Sequence, residues 1–136
     1  KILKRFTQDL SNITVAIWGL SFKPETDDMR KSPSIFIVKE LLKRGAKVKV
    51  FDPKAIKVAQ EKYFSKLDVF YGASKYEIID NVDALILLTE WKEFRSPDFE
   101  ELKLRMKQPI IFDGRNQYNA FNLKENGFEY FQIGKK

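Results

Sequence analysis

Short apolar runs alternate with helical segments along this chain, and that alternation constrains its fold more than any other feature. Val15-Ala16-Ile17-Trp18 and Ala84-Leu85-Ile86-Leu87-Leu88 contain no polar residue. A strand of that kind is buried on both faces, as in a parallel sheet covered by helices. Strands are predicted at Ile13–Trp18, Lys47–Phe51, Val69–Tyr71, Ala84–Leu88, Ile110–Phe112 and Glu129–Ile133. Helices are predicted at Pro33–Arg44, Ala55–Phe64 and Asp98–Met106, with a short one at Ser74–Ile79 and a turn or short helix at Phe121–Asn126. The first has clear punctuation: Ser32 as N-cap, Pro33 at the first helical position, a Glu40–Arg44 pair one turn apart, and Gly45 at the stop. The fold class is therefore α/β, a single Rossmann-like doubly wound parallel sheet. Its expected strand order is 3-2-1-4-5-6, with right-handed crossovers.

A chain of 136 residues fits one domain. Residues 13–136 form it, and Lys1–Asn12 reads as the end of a connecting helix from a preceding region. Cysteine and histidine are both absent, which removes disulfides, thiolate chemistry and the usual general base near neutral pH. Any catalysis would fall to Asp, Glu, Lys, Arg or Tyr. The charge of +6 is spread along the chain rather than gathered into a basic block, so it argues for no nucleic-acid partner. No apolar run is long enough for a membrane span, and the lack of cysteine suits the cytoplasm.

Ligands of open α/β sheets bind beyond the carboxyl ends of the strands, where the strand order reverses. Here that point lies between strands 1 and 4. Gly19, Phe22, Lys23, Thr26, Asp27, Asp28 and Arg30 follow strand 1; Thr89, Glu90 and Trp91 follow strand 4; Asp113, Gly114, Arg115 and Asn116 follow strand 5. The loop after strand 1 is long for a βα connection, about thirteen residues against the usual two to six. Lys23 suits a phosphate as a point charge, and Arg115 can give two parallel hydrogen bonds to a phosphate or a sugar edge. Asp27 and Asp28 could share acid/base work or hold Mg²⁺, but adjacent carboxylates seldom converge on one atom; capping loop amides and pairing Arg30 fits them better. No metal site is expected. Trp91 with Phe94 could stack on a base, although packing is the plainer role for Trp91. The Gly-rich dinucleotide fingerprint is missing, and Pro33 removes one amide from the helix start, so NAD is not expected to bind here in the Rossmann manner.

The run Gly19-Leu20-Ser21-Phe22-Lys23-Pro24-Glu25-Thr26-Asp27-Asp28-Met29-Arg30-Lys31-Ser32-Pro33 resembles the opening of the C-terminal domain of UDP-glucose and GDP-mannose dehydrogenases. Phe51-Asp52-Pro53, Thr89-Glu90-Trp91 with Phe94, and Asp113-Gly114-Arg115-Asn116 agree in order and spacing. The last two look most like the UDP-glucose branch. Ser21 stands where alanine is common, Lys31 where glutamate is common, and Trp18 is bulkier than usual for that strand.

That resemblance implies a nucleotide-sugar (UDP) binding domain of an NAD-dependent oxidoreductase. Such enzymes oxidise the C6 alcohol of UDP-glucose to the carboxylate, giving UDP-glucuronate with two NAD⁺ and a thiohemiacetal on a cysteine outside this domain. It implies substrate contacts by Phe22, Lys23 and Arg115 and an NAD contact by Arg30. The implied partners are UDP-glucose, an N-terminal NAD-binding domain and a second copy in a homodimer. The chain alone would bind substrate and not catalyse. Three other readings remain: the same domain of a GDP-mannose or UDP-N-acetyl-sugar dehydrogenase, a non-enzymatic nucleotide-binding or dimerisation module, and a phospho-receiver. The last needs an acceptor Asp after strand 3, where this chain has Tyr71-Gly72.

Overall fold

The computed structural model describes residues 5, 6 and 9–132. Six parallel strands form one sheet: β1 (Thr14–Trp18), β2 (Lys47–Phe51), β3 (Val69–Tyr71), β4 (Ala84–Leu87), β5 (Ile110–Asp113) and β6 (Glu129–Gln132). Their order is β3-β2-β1-β4-β5-β6, as the sequence predicts. Ile133, the last residue of the predicted sixth strand, lies outside the described residues.

β4, and β1 from Val15 onward, are apolar because each strand lies between two others and is covered on both faces. One face packs Val15, Ile17, Val48, Val50, Ile86 and Phe112 against Leu20, Met29, Val38, Leu41 and Phe64. The other packs Ala16, Trp18, Leu85, Leu87 and Ile111 against Ile78, Ile79, Leu102 and Tyr118. Both clusters come from this chain's own residues, which gives the domain its own core. Leu10 is fully buried in the first cluster, and Arg5 pairs with Glu129 at 2.7 Å. The rest of the predicted lead-in, residues 1–4, 7 and 8, lies outside the described residues.

Helix α1 (Pro33–Lys43) begins as its sequence dictates. The Ser32 hydroxyl accepts from the Ser34 amide, Pro33 follows at the first position, and Arg44 closes the last turn. Arg44 Nε donates to Glu40 at 2.8 Å. Helix α3 (Phe99–Arg105) is capped by Asp98, which accepts from the Glu101 amide. The predicted helix Ala55–Phe64 is a single α turn, α2 (Ile56–Val58), running into a π-helical turn at Ala59–Tyr63. The buried positions explain the change. Ala55, Ala59 and Phe64 all face the core, and a five-residue step from Ala59 to Phe64 requires one widened turn. The Phe64 amide accordingly donates to the Ala59 carbonyl at 2.7 Å.

The predicted short helix Ser74–Ile79 is a series of turns. Glu77 draws its carboxylate back onto the Ala73 amide at 2.7 Å, and Ile78 and Ile79 are buried side by side. Both features favour a compact turn over a helix, whose adjacent residues diverge by about 100°. In the 121–126 region, a 3₁₀ turn occupies Asn119–Phe121 and ends on Asn122 in the left-handed conformation. Among the described residues, no helix is long and apolar enough to cross a membrane.

Candidate functional site

The carboxyl ends of β1, β4 and β5 lie side by side, with Trp18 opposite Leu87 and Leu87 opposite Asp113. The three loops carrying the predicted ligand residues therefore leave one edge of the sheet together. They are held by a buried polar scaffold that begins at Asp52, just beyond β2. Its Oδ2 accepts from the amides of Leu20 and Ser21 at 2.7 and 3.1 Å. It also accepts from Trp91 Nε1 at 3.2 Å. Its Oδ1 caps the amides of Lys54 and Ala55, each at 2.8 Å. Asp52 is 1% exposed, so its charge is stabilised by these donors rather than by water.

The loop after β1 is fixed from above and below. The Thr89 hydroxyl donates to the Ser21 carbonyl at 2.6 Å, and the hydroxyls of Ser32 and Ser34 both donate to the Leu20 carbonyl at 2.7 Å. Ser21 Oγ donates to the Lys23 carbonyl at 2.8 Å, so the serine that departs from the common alanine helps to seat Lys23. Gly19 has φ +101°, and a β-carbon there would lie 2.5 Å from the Thr89 amide nitrogen. Only glycine permits this approach of β1 to the β4 loop.

Phe22 and Lys23 emerge together at the surface, with Lys23 Nζ 5.4 Å from the centre of the Phe22 ring. The Phe22 amide donates to the Asp28 carbonyl at 2.9 Å, closing residues 22–28 into a compact excursion. Arg30 is in the same loop, its side chain 82% exposed. Its Nε and Nη2 grip the Asp28 carboxylate, with Nη2 at 2.7 Å. That pairing and the Arg30 amide hold the Asp28 carboxyl down at about 2. Asp28 thus takes the structural role expected of it, while Asp27 lies exposed beside Glu25, Thr26 and Lys54 in an open depression of about 450 Å³. No group of three or more acidic, Cys or His side chains suited to a metal ion occurs among the described residues.

Arg115 lies beyond β5 on a tight turn built by Asp113. That buried carboxylate accepts from the amides of Arg115 at 3.0 Å and Tyr118 at 2.8 Å and from the Tyr130 hydroxyl at 2.6 Å. The Arg115 guanidinium is engaged by Glu90 from the β4 loop, with Nε–Oε2 at 2.9 Å and Nη2–Oε1 at 3.3 Å. Burial pushes the Tyr118 and Tyr130 hydroxyls well above the ordinary tyrosine range, and the neighbouring Asp113 charge adds to it.

Trp91 and Phe94 are buried, and Phe94 stacks on Trp18 at 5.1 Å. They pack the core and present no face to a base. Asp52 occupies the end of β2, where a Rossmann dinucleotide site places its ribose-binding acid; here the loop amides consume that carboxylate. The first amides of α1 are likewise turned onto Ser32. These residues do not fit a dinucleotide held in the Rossmann manner.

Phe22, Lys23 and Arg30 follow β1 and Arg115 follows β5, so all four stand on loops at this edge. The buried frame of Asp52, Thr89 and Asp113, and the grip of Glu90 on Arg115, are what sequence reasoning missed. The available signal was an Asp at or just beyond the ends of strands 2 and 5.

A relative from Pseudomonas aeruginosa named UDP-glucose 6-dehydrogenase is 41% identical over 125 residues, covering 90% of this chain and 28% of its own length. One of the same name from Rickettsia bellii is 39% identical over all of this chain and 31% of its own. The chain thus spans about three-tenths of the curated relatives that it matches. Among solved structures, an NDP-N-acetyl-D-galactosaminuronic acid dehydrogenase from Methanosarcina mazei superposes with TM-score 0.80 and 28% identity. The match covers 98% of this chain and 27% of that one. A UDP-glucose dehydrogenase from Pyrobaculum islandicum gives TM-score 0.76 and 28% identity, over 96% of this chain and 27% of that one. The model of the UDP-glucose/GDP-mannose dehydrogenase family, UDP binding domain, matches residues 16–120; with the sheet order and the loops at its switch point, this places the chain in that family.

Proposed function

We propose that this chain is the UDP-sugar-binding, C-terminal domain of an NAD-dependent UDP-glucose 6-dehydrogenase, the part that holds substrate while a separate domain does the chemistry. The observation that carries this reading is that Lys23 and Arg115 stand on loops leaving the same carboxyl edge of the sheet. Buried Asp52 and Asp113 hold the backbone of those two loops. Relatives of that name at about 40% identity favour UDP-glucose.

In this reading Phe22 and Lys23 hold one side of the nucleotide sugar, Arg115 binds the diphosphate or sugar, and Arg30 reaches towards cofactor. NAD would supply the hydride acceptor, held chiefly by an N-terminal domain preceding Lys1–Asn12, in a homodimeric cytoplasmic enzyme. What this chain contributes is orientation. Fixing reacting groups in line is worth roughly 7–11 kcal/mol of barrier, and closure over the sugar would keep water from the reacting centre.

A second reading, the same domain in an enzyme for an N-acetylated UDP sugar, is favoured by the close superposition on the Methanosarcina mazei protein. Calorimetric titration with UDP-glucose, a UDP-N-acetylhexosamine and GDP-mannose separates them. UDP-glucose binding at least as well as the others is the expected result. Preference for the N-acetylated sugar selects the second reading, and preference for GDP-mannose overturns both.

A further inference from the structure

The two arginines assigned to ligand share one arrangement: each is gripped side-on by a carboxylate through Nε and Nη2. For Arg115 the partner is Glu90, whose side chain is 20% exposed against 36% for the arginine. A guanidinium has five N–H donors, and this grip uses two. Among the described residues, the Nη1 pair and the second Nη2 hydrogen have no protein acceptor. They form the end-on fork, which suits two oxygens of a phosphate or a sugar edge.

Glu90 is itself well anchored. Thr89, before it, is tied to the Ser21 carbonyl, and Trp91, after it, reaches Asp52. The same carboxylate of Asp52 holds the amides of Leu20 and Ser21, just ahead of Lys23. The direction of Arg115 and the path leading to Lys23 are therefore referenced to one buried frame. A point-charge account of Arg115 would make a neighbouring carboxylate a liability, since it cancels the positive field. A geometric account makes it useful, because it removes the rotamer freedom of a long side chain before ligand arrives.

We propose that Glu90 is a positioning residue for the nucleotide-sugar site: it aims the free fork of Arg115 at the diphosphate-sugar portion of the ligand. This rests on the assignment of Arg115 to substrate. The test measures UDP-glucose and UMP affinities by calorimetry for the chain and for Glu90→Ala, Glu90→Asp, Arg115→Ala and the Glu90→Ala/Arg115→Ala pair, with a melting curve for each. Glu90→Ala is expected to weaken UDP-glucose about tenfold while changing UMP less than about twofold. Glu90→Asp should recover most of the loss, and the double variant should bind no more weakly than Arg115→Ala alone. UDP-glucose binding unchanged or tightened in Glu90→Ala, beside a weakened Arg115→Ala, overturns the role of Glu90 and leaves that of Arg115. Equal losses for UDP-glucose and UMP mark Glu90 as structural and overturn it too. Arg115→Ala binding like the parent overturns both assignments.

Discussion

The carboxylate of Asp52, at the end of β2, lies 3.2 Å from Trp91 Nε1, beyond the end of β4. Between them passes the loop from β1, whose Leu20 and Ser21 amides point at the same oxygen. One buried charge thus ties three strand ends together, and the loops after β1 and β4 take their places from it.

Replacing Asp52 by Asn puts an amide donor against at least one set of donors that now share an acceptor. The expected loss is on the order of 3 kcal/mol, since several buried donors lose a charged partner at once. Trp91→Phe removes a single donor from a carboxylate that retains the others, and should cost markedly less. Urea denaturation of both variants checks the ranking; a Trp91→Phe loss equal to that of Asp52→Asn would place the stabilisation in indole packing instead.

Gly19→Ala should damage the site as well as the fold. The new methyl would meet the Thr89 amide nitrogen at 2.5 Å from a backbone with φ +101°. Backbone strain and overpacking each cost about 1–3 kcal/mol. The expected result is a lowered melting temperature together with weakened UDP binding, because the loops of Ser21 and Thr89 must part. A variant as stable as the parent would show that the approach relaxes freely.

The buried tyrosines set the alkaline limit. Tyr118 and Tyr130 have folded-state values raised above those of the unfolded chain. Their stabilising contribution is complete below pH 10 and is lost as pH rises beyond it, because the unfolded chain releases protons that the folded one keeps. Stability should fall by about 1.4 kcal/mol per pH unit for each such tyrosine above pH 10. Tyr118→Phe should flatten that slope by about one proton; an unchanged slope would mean that Tyr118 ionises as freely folded as unfolded.

At the acid end, the Asp28 carboxyl is depressed to about 2 by its pairing with Arg30. Its contribution is present above the ordinary aspartate value near 4 and is lost as pH falls towards 2. Carbon-detected NMR titration should find the Asp28 midpoint near 2 in the parent and raised towards the ordinary value in Arg30→Ala, which keeps only the residue-30 amide bond. A midpoint unmoved by Arg30→Ala would assign the shift to the loop amides.

The sheet was legible because burial on two faces writes itself directly into β1 and β4 as unbroken apolar runs. Helix α1 was legible through local chemistry, with Ser32, Pro33 and Gly45 each suited to a particular position. The π turn at Ala59–Tyr63 was not, since both a regular and a widened helix satisfy the same apolar pattern; only the depth of Phe64 separates them. Residues 74–79 misled for a related reason: adjacent Ile78 and Ile79 fit several short structures. At the site, long-range contacts account for the gap. Asp52 and Trp91 are 39 positions apart and Glu90 and Arg115 are 25 apart, so no local pattern announces either pairing.

The most direct test of the central claim is to follow the backbone and side-chain NMR signals of the chain as UDP is added. Shifts should concentrate on Phe22, Lys23, Gly114 and Arg115 at the carboxyl edge of the sheet, and Lys23→Ala and Arg115→Ala should each suppress them. At the opposite edge is a cavity of about 850 Å³ lined by Lys47, Lys49 and Lys66 together with Asp68 and Asp80, where lysines could also meet a phosphate. Shifts confined to those residues, with Lys23 and Arg115 silent, would contradict the account.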